Sequence, residues 1–192
     1  EMCIRDRHNI SELVKAISIS FANYQIYYAV KANSNINIIR ILKNKFNDLG
    51  CDCSSPGELF AAEKANVSMS DCVYTGNYES IEDLKTAFNA KVEINLDDLN
   101  SFNRLKTIGV PRYVSFRLNP GKGHGQFKGI ITGGKDSKFG IPKEKIVNAY
   151  EVAKKSGMKK FIDCKMQPDG WLFMAKKPAD YFHRGVLRVP SE

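Results

Sequence analysis

Lys31, Asp52, Thr75, Asn95 and Arg117 each stand at the end of a short apolar run, and successive members of this series lie 20 to 23 residues apart. That interval holds one strand, one helix and two short connections. It predicts helices over Ile10–Phe21, Ile36–Phe46, Pro56–Lys64, Ser80–Phe88, Leu99–Ile108 and Lys143–Lys154. Strands are predicted over Gln25–Val30, Asp48–Cys53, Asp71–Thr75, Lys91–Leu96 and Tyr113–Leu118, with another starting near Lys159. The helix starts carry fitting chemistry: Ser55-Pro56 with Glu58, Ser80 with Asp83, and Asp97 or Asp98 put an oxygen or a first-turn acid at a helix N-terminus. Strand–helix units repeated so evenly imply a parallel sheet, either closed as a (β/α)8 barrel or open and doubly wound.

Alternation within the strands separates these two. In Tyr113–Asn119, Val114, Phe116 and Leu118 oppose Tyr113, Ser115, Arg117 and Asn119; in Lys91–Asp97, Val92, Ile94 and Leu96 oppose Glu93, Asn95 and Asp97. Strands of an open parallel sheet are usually apolar on both faces. A polar second face converging at strand ends fits a barrel whose mouth is a binding site. A complete barrel runs to about 250 residues, against 192 here. The expected fold is therefore α/β, a partial (β/α)8 TIM barrel over residues 8–162. Residues 1–7 and 163–192 carry neither periodicity nor caps, and are expected to be irregular tails foreign to the barrel.

Composition narrows the function classes. Apolar content of 43% and charged content of 26% are those of a globular chain. The net charge of +8 is dispersed over predicted helices, as in Lys43, Lys64, Lys85, Lys106 and Lys154, with no basic block interleaved with aromatics. No nucleic-acid partner is expected; a phosphate-bearing small ligand or plain solubility accounts for the charge equally well. No apolar run is long enough for a membrane-spanning helix, so no membrane partner is expected. Five scattered cysteines, an odd number, argue against a disulfide framework and for a reducing cytoplasm. Cys51 and Cys53 have no matching second pair, so no metal site is expected, and they read as residues filling strand interiors.

Within Gln25–Val30 a period of two puts Tyr27, Ala29 and Lys31 on one face. A lysine closing so apolar a strand has several fates. It can snorkel to water, pair with an acid, lose its proton, or condense with a carbonyl as in pyridoxal phosphate enzymes.

Tyr28-Ala29-Val30-Lys31-Ala32-Asn33 resembles the cofactor-lysine motif of the fold-type III pyridoxal phosphate decarboxylases, whose barrel is of the alanine racemase type. Four further blocks follow in the family's order: Gly50 to Leu59, Tyr74 to Ser80, Ile94-Asn95-Leu96-Asp97, and Phe116-Arg117-Leu118-Asn119-Pro120-Gly121 running on to Lys138-Phe139-Gly140-Ile141. Together they span about Ile10–Phe161, and the likeness is nearest to diaminopimelate decarboxylases. It implies that Lys31 carries pyridoxal 5'-phosphate as a Schiff base, with Asp52 and Arg117 as cofactor-binding residues at the barrel mouth. Asp52 also suits a plain first-turn acid, and Arg117 a structural ion pair. Glu58 fits either the same polar network or a cap with Ser55. The glycine-rich loop around His124 reads as a surface connection, Gly133-Gly134 as a tight turn, and Phe139 as a packing anchor.

The resemblance also marks departures. No histidine stands near Cys164-Lys165-Met166, where the family places one against the pyridine ring, and His183 has no matching context. The family's later phosphate loop and C-terminal β-domain have no counterpart in this sequence. For a complete relative the resemblance implies decarboxylation of an amino acid, meso-diaminopimelate to L-lysine, by a cytoplasmic homodimer. Decarboxylases of ornithine, arginine or carboxynorspermidine, and a non-enzymatic barrel that buffers the cofactor, are the rival readings. A fragment of this size is expected to be inactive alone.

Overall fold

The computed structural model describes residues 2–21, 24–111, 113–119, 121, 134, 138–158 and 173–174. Helix α1 (Met2–Ser20) leads into strand β1 (Gln25–Ala29), followed by α2 (Ile36–Lys45), β2 (Gly50–Cys53), α3 (Pro56–Lys64) and β3 (Cys72–Thr75). Next come α4 (Ile81–Ala90), β4 (Glu93–Leu96), α5 (Leu99–Ile108), β5 (Val114–Phe116) and β6 (Leu118–Asn119). The two-residue β7 (Ile141–Pro142), α6 (Lys143–Lys155) and β8 (Phe173–Met174) complete the series.

Strands β1 to β5 pair in parallel, each beside the one before it. An open doubly wound sheet reverses its order at a switch point; this one never does, so it winds as a barrel winds. Arg117 joins β5 to β6, and β6 extends the winding by pairing in parallel with β7. This is the partial (β/α)8 barrel that the alternation predicts.

The helix-facing side of the sheet is packed apolar. Val30, Cys51, Cys53, Ile94, Leu96, Val114 and Phe116 are all 0% exposed and join Leu59, Ala62, Leu84, Phe102 and Leu105 from the helices in one core. Cys51, Cys53 and Cys72 are free, buried thiols, as their reading as strand interior residues requires. Hydrogen bonding to Cys72, then burial, pushes the thiols of Cys51 and Cys53 up. A smaller core under α1 joins Ile10 and Ile17 to Ile26, Leu42 and Leu49. Gly50 is required by close approach, since a Cβ there would lie 2.7 Å from the Tyr27 ring and inside the Asp71 carbonyl.

Three expectations need correction. Helix α1 begins at Met2, so residues 2–7 are helical rather than irregular. Its first turn carries no acid, and from Ile4 to Asn9 every residue but the half-buried Asp6 is exposed, which leaves no apolar sequence signal for its start. Phe173 and Met174 pair antiparallel with Ile26 and Gln25, so that part of the 163–192 segment is strand. Finally, β1 stops at Ala29 and Val30–Ala32 forms a turn of 3-10 helix, which ends the alternation before Lys31. The strand expected near Lys159 lies outside the described residues.

Candidate functional site at the strand ends

The face opposite the helices is polar in register. Ala29 neighbours Asp52, Asp52 neighbours Val73, and Val73 neighbours Glu93; one step nearer the carboxyl ends, Thr75, Asn95 and Ser115 form a second row. Asp52, Thr75, Asn95, Asp97, Ser115 and Arg117 are all buried. Buried polar groups persist where partners satisfy them, and the partners here are one another. The Thr75 hydroxyl donates to Asp52 Oδ1 at 2.8 Å. Asn95 Nδ2 donates to Ser115 Oγ at 2.8 Å, and Ser115 donates onward to Glu93 Oε1 at 3.3 Å. Tyr27 belongs to the same face: burial, then the charge of Glu93, pushes its phenol up.

Lys31 sits at the carboxyl end of β1, in the turn that follows it. Local hydrogen bonds fix that turn. Tyr28 Oη donates to the Asn33 carbonyl at 3.0 Å, Asn33 Oδ1 accepts from Asn35 N–H, and Asn35 Oδ1 caps α2 through Asn37 N–H at 2.9 Å. Asparagine suits such turns because its side chain imitates a backbone carbonyl. The Lys31 side chain is exposed. The described residues do not enclose its amine.

Asp52 is one strand over from Ala29 on the face just described, buried and held by Thr75; it is a strand residue, not a first-turn acid. Glu58 takes the capping role: its N–H donates to Ser55 Oγ at 3.3 Å and its carboxylate accepts from Ser54 N–H at 2.8 Å. It is not part of the strand-end network.

Arg117 lies where β5 meets β6, its N–H bonded to Leu96 and its carbonyl accepting from Ile141 N–H at 2.7 Å. Its guanidinium is 3.5 Å from Asp97 Oδ1 and stands 4.8 Å from the Phe139 ring centre. Gly140 lets this strand junction close, with φ of +78° and no room for a Cβ, which would meet Asn119 N at 2.9 Å. Asn119 holds Gly121 and Gly134 together, accepting from Gly121 N–H and Gly134 N–H while donating to the Gly134 carbonyl. Gly134 has φ of +128°, as a turn glycine should. His124 and His183 lie outside the described residues.

The parts played by several residues here were not legible in the sequence. Asp97 and Asp98 look interchangeable, yet Asp98 caps α5 through Ser101 N–H at 2.7 Å while Asp97 turns to Arg117. Glu79 is a buried carboxylate that accepts from Ser101 Oγ at 2.9 Å beside Arg104 at 3.7 Å. Burial pushes the Glu79 carboxyl up, partly offset by its hydrogen bonds and by Arg104. A buried acid just before the capping box Ser80–Asp83 is the one signal that could have marked it.

Two shallow grooves of about 300 and 320 Å³ lie between α1 and α2, lined by residues such as Arg7, Ile41, Val14 and Phe46. Neither touches the strand ends. The strand ends hold an amine, a carboxylate bonded to Thr75 and a buried guanidinium along one edge of a sheet.

A parallel barrel segment with such groups at its carboxyl edge defines a binder of a small polar ligand or cofactor. The chain belongs to the pyridoxal-dependent decarboxylase family: that family's pyridoxal binding domain matches residues 7–161. The diaminopimelate decarboxylase of Methanothermobacter thermautotrophicus is 36% identical over 151 residues, covering 78% of this chain and 35% of that protein. The structure of Helicobacter pylori diaminopimelate decarboxylase complexed with L-lysine superposes with a TM-score of 0.73 at 26% identity, covering 82% of this chain and 42% of that one. The arginine decarboxylase of Paramecium bursaria Chlorella virus shares the fold, with a TM-score of 0.67 at 20% identity over 82% of this chain and 40% of that one. The chain therefore spans roughly two fifths of the proteins it matches.

The residues present fit pyridoxal phosphate. Asn95 Oδ1, on the polar face, is buried without a hydrogen-bond partner among the described residues, so that face can still accept a donor. An aldehyde calls for an amine and a phosphate for a cation, and Lys31 and Arg117 supply those types at the same sheet edge.

Proposed function

We propose that this chain is the pyridoxal phosphate-binding part of an amino-acid decarboxylase that converts meso-diaminopimelate to L-lysine. The observation that carries the reading is the arrival of Lys31, Asp52 and Arg117 at the carboxyl edge of one parallel sheet. Relatives named diaminopimelate decarboxylase, at about a third identity, direct it to that substrate. The working enzyme is a cytoplasmic homodimer, and the barrel domain is residues 8–162 of this sequence.

Lys31 presents a primary amine, the group that condenses with an aldehyde. Asp52 is kept in one orientation by Thr75 and offers a carboxylate to any cationic group beside it. Arg117 presents a planar cation suited to a carboxylate or phosphate. Pyridoxal phosphate, when bound, supplies a conjugated ring that takes up the electron pair left as carbon dioxide departs. The network of Asn95, Ser115 and Glu93 keeps the face beneath these groups polar and rigid.

The test is carbon dioxide release by the complete gene product carrying this sequence, supplied with pyridoxal phosphate and offered meso-diaminopimelate, ornithine or arginine in turn. Release from meso-diaminopimelate with lysine as product is expected. Release from ornithine or arginine alone would reassign the substrate. Tight cofactor binding without release from any of them would make the protein a cofactor-holding barrel.

A further inference from the structure

Arg117 is a cation inside protein, and what faces it decides how its charge is presented. On one side is Asp97, at 3.5 Å and equally buried. On the other is the Phe139 ring at 4.8 Å. A charge-assisted hydrogen bond runs to about 2.7–2.9 Å; the longer contact here leaves Asp97 Oδ1 buried with no hydrogen bond among the described residues. The pair is therefore held by charge and enclosure rather than by a locked bidentate fork. Its members come from different connections, Asp97 from the end of β4 and Arg117 from the β5–β6 junction.

We propose that Asp97 is a positioning residue for Arg117: its carboxylate draws the guanidinium against Phe139 at the strand ends, and protonation of that carboxylate releases it. The proposal rests on the reading of Arg117 as a cofactor-facing cation. The groups that face Asp97 are Arg117 from the β5–β6 junction, Glu79 from the β3–α4 connection, and Asp98 beside it. Burial pushes the Asp97 carboxyl up to about 6, Arg117 pulls it back, and the two neighbouring acids add to the rise. The change of charge then falls within the range a cytoplasmic pH excursion or an assay buffer can reach. Glu79 is already engaged by Ser101 and Arg104, so Asp97 is the acid left to serve Arg117.

Two readouts test this. The first follows the side-chain Nε–H resonance of Arg117 by NMR in the unliganded protein between pH 5 and 8. A transition with a midpoint near 6 is expected, and its absence would overturn the proposal. The second measures pyridoxal phosphate binding by absorbance over the same range in the wild type, Asp97→Asn, Asp97→Glu, Arg117→Gln and the double variant Asp97→Asn with Arg117→Gln. Asp97→Asn should weaken binding about tenfold at pH 7.5, the scale of one charge-assisted contact, and should lose the step near pH 6. Asp97→Glu should keep that step, and the double variant should bind no more weakly than Arg117→Gln. Weakened binding in Arg117→Gln with wild-type behaviour in Asp97→Asn would refute the positioning role while leaving Arg117 at the cofactor. Unchanged binding in Arg117→Gln would remove Arg117 from the site and the proposal with it. Should Asp97→Asn not fold, the NMR transition and the Asp97→Glu profile still decide.

Discussion

The two faces of the one parallel sheet obey different rules. On the helix side Ile94, Leu96, Val114 and Phe116 are completely buried and belong to the apolar core. On the other side, in the same strands, Glu93, Asn95, Asp97, Ser115 and Arg117 form a hydrogen-bonded and ion-paired network. An apolar residue on the first face contributes the free energy of leaving water, on the order of 25 cal/mol per Å². A polar residue on the second is nearly neutral once paired and costly when its partner is removed. The first face holds the fold together; the second adds little to stability, and buried ionisable groups of this kind cluster at functional sites.

The helix side is the more sensitive of the two to truncation. Phe116 is fully buried and packs edge-on against Phe102 at 5.9 Å and Tyr150 at 5.1 Å. Phe116→Ala should cost about 3–5 kcal/mol in urea unfolding, the usual range for an aromatic truncated in a core. A loss below about 1 kcal/mol would mean that this face is not a packed core.

A smaller effect sharpens the polar side through pH. Asp97 holds its proton more tightly in the folded chain, with a pKa of about 6 against an ordinary 3.8. The folded state is thus favoured by protonation: the full contribution is present below about 3.8, falls as pH rises, and is gone above about 6. The loss across that window is on the order of 2–3 kcal/mol. Glu79, also raised, adds a slope of the same sign. Asp97→Asn should flatten Asp97's share of the slope and leave that of Glu79; identical pH–stability profiles in the two proteins would show that Asp97 is not a strained buried acid.

The same division explains how much could be read from the sequence. Strand and helix limits from β2 to α5 follow the prediction to within about two residues, because caps such as Ser80–Asp83 and Ser55–Glu58 are local chemistry. The barrel winding and the polar face were legible in the period of two. What was not legible depends on partners distant in sequence. Of two adjacent aspartates, only register with β5 sends Asp97 to Arg117 and leaves Asp98 to the helix. The end of β1 at Ala29 comes from the hydrogen bond of Tyr28 to Asn33 and the turn it closes, which simple alternation ignores. The start of α1 at Met2 left no trace, since Ile4 to Asn9 have no buried apolar face to imprint a period. The exposure of Lys31 is of the same kind, because enclosure is made by neighbours rather than by the residue itself.

The proposed function depends on Lys31 being the amine that takes up the cofactor. The direct measurement is to incubate the protein with one equivalent of pyridoxal phosphate, reduce with borohydride, and map the modified peptide by mass spectrometry. A single phosphopyridoxyl group on Lys31 is expected, absent from a Lys31→Ala protein that folds as well as the wild type, since the side chain is exposed. Label scattered over other lysines such as Lys64 and Lys85, and undiminished in Lys31→Ala, would contradict it.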